Sequence, residues 1–109
     1  MTRLGRSLCL VLLVFGASSC SSDGICTDVA VATGGAHTDI GLGQCWDGQD
    51  RRVVCDPTGV GTAVTCTCSV AGNTGATFPR TEPLIVTASP TAAELAPINS
   101  GCRWALRPR

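Results

Sequence analysis

The sequence predicts a mainly β, α+β domain: a small antiparallel sheet of four to six strands with one short helix, stapled by disulfides. Three observations lead there. Residues 62–70 alternate with period two, so that Val64, Cys66, Cys68 and Val70 share one face while Ala63, Thr65, Thr67 and Ser69 share the other. Short apolar runs are punctuated by turn signals, namely Gly34-Gly35-Ala36, Asp47-Gly48-Gln49-Asp50, Asp56-Pro57-Thr58-Gly59 and Gly72-Asn73-Thr74. Eight cysteines in 109 residues accompany only three aromatics after position 15 (Trp46, Phe78 and Trp104). A core of mostly Ala and Val is thin, and covalent cross-links are the usual compensation.

Residues 26–32 read as the first strand, followed by the Gly34–Ala36 loop. Residues 42–46 and 51–55 flank the Asp47–Asp50 turn as hairpin partners. The strand over 62–70 carries Cys66 and Cys68 on one face about 7 Å apart, too far for a mutual disulfide; both must bridge elsewhere. Of the 15 pairings open to six cysteines, 12 remain. A three-residue loop, Gly72–Thr74, would return the chain into Gly75–Phe78, with Val70 opposite Ala76 and Cys68 opposite Phe78. Leu84–Ala88 reads as a further short strand. Residues 89–96 read as the helix, capped by Ser89 with Pro90 in its first turn, or by a Thr91/Glu94 capping box. Pro97 should stop it, and Asn99-Ser100-Gly101 should turn Cys102 back to the sheet. Residues 105–109 form a basic tail expected to fray.

The N-terminus has a different character. Arg3 and Arg6 precede the apolar run Leu8–Phe15, and small residues follow. The run is too short to span a bilayer, which takes about 20 apolar residues, and it fits the hydrophobic region of an export signal over residues 1–19. The segment Ala17-Ser18-Ser19-Cys20 resembles the lipobox of bacterial lipoproteins. That resemblance, which covers residues 1–22, implies cleavage before Cys20, a diacylglycerol on its sulfur and usually an acylated amine. Ser21 and Ser22 rather than Asp imply sorting to the outer membrane, periplasmic or surface-facing; simple secretion is the alternative. Cysteine parity agrees: with Cys9 in the signal and Cys20 lipidated, Cys26, Cys45, Cys55, Cys66, Cys68 and Cys102 can all pair in an oxidising compartment. Removal of residues 1–19 leaves 90, with six arginines against eight acids. Residues 20–25 would be a short tether to a cysteine-rich domain over 26–104. The whole pattern, with Cys-Thr-Cys on one strand and a late cysteine near a tryptophan, loosely resembles small cysteine-rich envelope lipoproteins of Gram-negative bacteria, most of which have no assigned activity.

Composition excludes several functions. Formal net charge is zero, all eight basic residues are arginine, and charged residues make up 15%; phosphate-driven nucleic-acid binding needs a basic surplus. Zinc favours Cys-x2-Cys spacing, which Cys66-x-Cys68 lacks, so neither metal nor cofactor is expected. His37, with Asp39 as orienting partner and Thr38 or a distant serine as nucleophile, offers the only hydrolase constellation, without a Gly-x-Ser-x-Gly elbow; a solvated loop histidine is the simpler reading. Trp46 with Asp47, Arg51 and Arg52 is the best binding candidate, since an aromatic face beside carboxylate and guanidinium groups can hold a sugar or peptide. The simpler reading has both tryptophans packed over disulfides. The chain therefore reads as a non-enzymatic envelope lipoprotein with a structural or interaction role and a protein or glycan partner. A carbohydrate- or peptide-binding module around Trp46 is the alternative.

Overall fold

The computed structural model describes residues 23–109. The export signal, Cys20 and the start of the tether lie outside the described residues. Five strands form one antiparallel sheet in sequence order: β1 (Cys26–Gly34), β2 (His37–Cys45), β3 (Arg51–Pro57), β4 (Val64–Val70) and β5 (Asn73–Arg80), followed by one helix, α1 (Ala92–Cys102). Among the described residues, the mainly β class and the single helix are as the sequence predicts.

Alternation sorts the side chains. Thr38, Ile40 and Leu42 of β2, Val53 and Cys55 of β3, and Val64, Cys66 and Cys68 of β4 point to one face and are buried. Leu95, Ile98 and Cys102, spaced three and four apart on one stripe of α1, cover that face together with Leu84, Val86 and Leu106. At the end of β2 the alternation slips by one residue. Gln44 adopts a left-handed backbone (φ 51°) and is exposed, and Cys45 is buried in its place. This brings Cys45 into the core opposite Cys26.

All six cysteines of the domain pair. Cys26–Cys45 joins directly opposite residues of β1 and β2, and Cys55–Cys66 does the same for β3 and β4. Cys68–Cys102 ties β4 to the last turn of α1.

Four local expectations are corrected. The β4–β5 turn is Ala71-Gly72, both with positive φ (51° and 82°), the geometry a two-residue hairpin needs. Such a turn alone would flip β5, but a bulge opposite Cys68 adds one residue and restores the inward face, so that Cys66, not Cys68, lies opposite Phe78. Residues 84–88 join no ladder: Leu84 and Val86 enter the core while Ile85 is 79% exposed. The helix starts later and ends later than predicted. Thr91 caps it in a reciprocal capping box with Glu94, and Pro97 lies inside it. Proline there forfeits the bond to the Ala93 carbonyl; burial of Ile98 and the anchored Cys102, one turn on, offset the loss, and residues 99–101 are helical rather than a turn. Finally, residues 105–109 are docked, not frayed. The Asn99 side chain donates to the Leu106 carbonyl and accepts from its N–H, at 2.9 and 2.8 Å. The Arg107 N–H donates to the Gly24 carbonyl at 2.7 Å, and Arg109 donates to the Thr27 carbonyl.

Gly101 shows why the helix and β5 can meet. A Cβ there would sit 2.3 Å from Cγ and Cδ1 of Phe78. An exposed helical Gly→Ala change normally stabilises by about 1 kcal/mol. Here overpacking, at about 1–3 kcal/mol, opposes that gain, and Gly101→Ala is expected to lower the denaturant midpoint. A raised midpoint would show that Phe78 moves aside freely.

Candidate functional site

Two candidate regions emerge on opposite sides of the sheet. The first is at the sheet end where β1 begins. The Asp47–Asp50 turn closes with the Gly48 N–H on the Cys45 carbonyl, and Asp47 Oδ1 accepts from the Gln49 N–H. This aims the Asp47 carboxylate back at Arg51, the first residue of β3. Arg51 grips it with both terminal nitrogens, Nη1 to Oδ1 at 3.0 Å and Nη2 to Oδ2 at 2.8 Å, and Nη1 also donates to the Gln49 carbonyl. The guanidinium carbon lies 4.4 Å from the ring centre of Trp46 and 5.7 Å from that of Trp104. Both rings are half-buried and pack on the core. The Arg51 side chain is only 9% exposed, and its Nε is buried without a partner. The hydrogen bond from Arg51 holds the Asp47 carboxyl well below its usual range, at about 2. Trp46, Asp47 and Arg51 thus come together, with their polar groups turned on one another.

Arg52, the fourth residue of the sequence-predicted group, points to the other face. It pairs there with Asp39, and that hydrogen bond holds the Asp39 carboxyl below its ordinary range. This outer face is the second region. Cross-strand pairing sets Ala30, Gly41, Arg52, Ser69 and Thr74 in one row and Ala32, Asp39, Val54, Thr67 and Thr77 in the next. Gly41 and Gly43 have no side chains to fill the surface, and a trough of about 560 Å³ opens over them. Asp28, Asp50, Arg52, Ser69 and Thr74 supply its polar rim. A bare backbone floor is where another chain or ligand can approach closely. The sequence signal for this trough is Gly-x-Gly alternating with Ile40 and Leu42, together with the outward Thr and Ser of β4. Asp28, Gly41 and Gly43 were not among the candidates singled out from sequence.

His37 lies one row further out. Its Nδ1 is 2.7 Å from Asp56 Oδ1, and both side chains are well exposed. Asp56 rather than Asp39 is therefore its partner. Thr38 faces the core at 1% exposure, on the opposite side of the sheet from the imidazole, and cannot serve as its nucleophile. His37, Asp39 and Thr38 therefore do not assemble as a triad. Among the described residues no three His, Cys, Asp or Glu side chains converge as a metal site, and no helix is long and apolar enough to cross a membrane.

No protein-family model matches the chain, and no curated protein or solved structure matches it.

Proposed function

We propose that this chain is an exported cell-envelope module, tethered to a membrane by lipid on Cys20, that works through interaction rather than catalysis. The observation that carries the reading is the complete pairing of Cys26–Cys45, Cys55–Cys66 and Cys68–Cys102. Three buried disulfides suit an oxidising compartment. Parity then leaves Cys20 without a partner in the domain, as a lipid acceptor would be. The Trp46 N–H holds the Ile25 carbonyl, the Arg107 N–H holds that of Gly24 and Arg107 Nη1 donates to that of Asp23, so on this reading residues 21 and 22, reaching roughly 7 Å when extended, would separate Cys20 from the domain. Two or more acyl chains, at about 0.8 kcal/mol per buried methylene, anchor stably.

Intact-mass analysis of the membrane fraction tests this. The expected product begins at Cys20, carries acyl chains and has lost six thiol hydrogens; Cys20→Ala should release an unacylated form. A mature terminus elsewhere, or free thiols, would overturn the reading. The alternative, a carbohydrate- or peptide-binding module, draws support from the outer-face trough rather than from Trp46, whose ring is stacked under Arg51. Chemical-shift changes at Arg52, Ser69 and Thr74 on adding oligosaccharide or peptide would favour it.

A further inference from the structure

The two edges of the sheet are built differently. An open strand edge templates pairing with another chain, and proteins blunt it with proline, charge or bulges. Edge β5 has all three: Pro79 offers no N–H, the bulge at Gly75–Ala76 breaks the ladder, and Arg80 ends it. Edge β1 has none between Asp28 and His37; Val29-Ala30-Val31-Ala32-Thr33 is uncharged, β-branched and regular in register. The two-residue turn Gly35-Ala36 makes Gly34–His37 the closing hydrogen-bonded pair. Alternation then sends the backbone N–H and C=O of Val29, Val31 and Thr33 away from β2. The same alternation turns the Thr27 carbonyl outward, where Arg109 Nη1 donates to it at 3.3 Å. The C-terminal segment thus takes the first step of this edge and leaves the rest. Val31 is among the few large apolar residues left exposed, at 37%.

We propose that β1 pairs antiparallel with β1 of a second copy of this chain, joining two five-stranded sheets into one of ten. The edge is complementary to itself. Centred on Val31, the pairing sets Val31 against Val31, Val29 against Thr33, Ala30 against Ala32 and Asp28 against Gly34, and keeps inward residues with inward ones. Val29, Val31 and Thr33 occupy the hydrogen-bonded positions and supply about six N–H···O bonds. The small alanines take the non-hydrogen-bonded positions, where the strands come closest. No like charges meet. Asp28 falls over the second copy's Gly34, which has no side chain and whose neighbour on β2 is His37. A twofold pairing of this kind closes on itself, and the defended β5 edge keeps it from growing into a fibre.

Native mass spectrometry of the full chain, produced with its own leader in an oxidising host and taken up in detergent, reads the outcome. The expected result is twice the protomer mass, with the share of doubled species rising with concentration. Val31→Lys places charge against charge across the edge while its own N–H bonds to nothing within the sheet; the mass should halve. Thr33→Lys at the same exposed edge serves if Val31→Lys fails to fold, which the loss of six thiol hydrogens and the circular dichroism spectrum report. Thr77→Lys, on β5, should leave the doubled mass intact. A wild-type chain that stays single from micromolar to submillimolar, folded edge variants that stay double, or a Thr77→Lys chain that halves would overturn the proposal.

Discussion

Replacing Cys68 and Cys102 together by alanine is expected to cost about 4 kcal/mol, more than removing either other disulfide. The bridge closes 34 residues, against 19 for Cys26–Cys45 and 11 for Cys55–Cys66. Restriction of the unfolded chain grows with the logarithm of loop length, which gives about 3.8, 3.2 and 2.8 kcal/mol in that order. Burial argues the other way. Cys55 and Cys66 are wholly inaccessible, while Cys102 is 6% exposed, so a ranking set by lost packing would place the Cys55 pair first. Architecture reinforces the loop argument. The two hairpin bridges join residues already opposite in hydrogen-bonded ladders, whereas Cys68–Cys102 is the covalent tie between sheet and helix. Without it α1 keeps Leu95 and Ile98 but loses the clamp on its last turn, beside the close packing of Gly101 on Phe78. Chemical denaturation of the three double variants should rank them in that order, with hydrogen exchange in residues 98–102 rising most in the Cys68/Cys102 variant. The idea fails if the Cys55/Cys66 variant proves the least stable.

What the sequence disclosed and what it hid divide along physical lines. Strand β4 was legible because Val64, Cys66 and Cys68 alternate without interruption, and that spacing also barred a Cys66–Cys68 bond. The pairing itself was hidden, because loop lengths leave many connectivities open and only register decides that Cys26 meets Cys45. Register in turn depended on two irregularities with weak signatures: positive φ at Gln44, which shifts Cys45 inward, and at Ala71, which forms a turn that the bulge opposite Cys68 then compensates. Neither residue is the glycine or asparagine that usually announces such geometry. Pro97 misled for a related reason. A local rule about helix interiors was outweighed by long-range burial of Ile98 and by the Cys102 bridge. The site was partly legible: Trp46, Asp47 and Arg51 assemble, but Arg51 and Arg52, adjacent in a strand, necessarily face opposite ways. That alternation sends Arg52 to the trough, which was invisible until the five strands were set side by side.

Arg51 is where this small core concentrates its polar cost, and its removal is the second large effect expected. The guanidinium lies over the Trp46 ring, within cation–π reach of Trp104, and is bound at both oxygens of the Asp47 carboxylate, a geometry that suits a planar fork and not an ammonium. Arg51→Ala opens a space beside the rings and forfeits both ring contacts, for a loss of about 2–3 kcal/mol in denaturation experiments. Arg51→Lys should recover less than half of it, because charge survives while stacking and the paired hydrogen bonds do not. Equal stability of the Arg51→Lys and wild-type chains would mean that charge alone suffices. The acid limb adds an independent readout. With the Asp47 carboxyl lowered from 3.8 to about 2 in the fold, its contribution is complete above the ordinary value and disappears as pH falls from about 4 to about 2. Asp39 and Glu94, lowered by Arg52 and by the Thr91 backbone N–H respectively, add to the same acid loss and are untouched by changes at Arg51. Wild-type stability should therefore fall more steeply through this window than that of Arg51→Ala, so that the two curves converge towards low pH. Parallel curves would place the low carboxyl pKa, and with it the clamp, outside the forces that stabilise this end of the sheet.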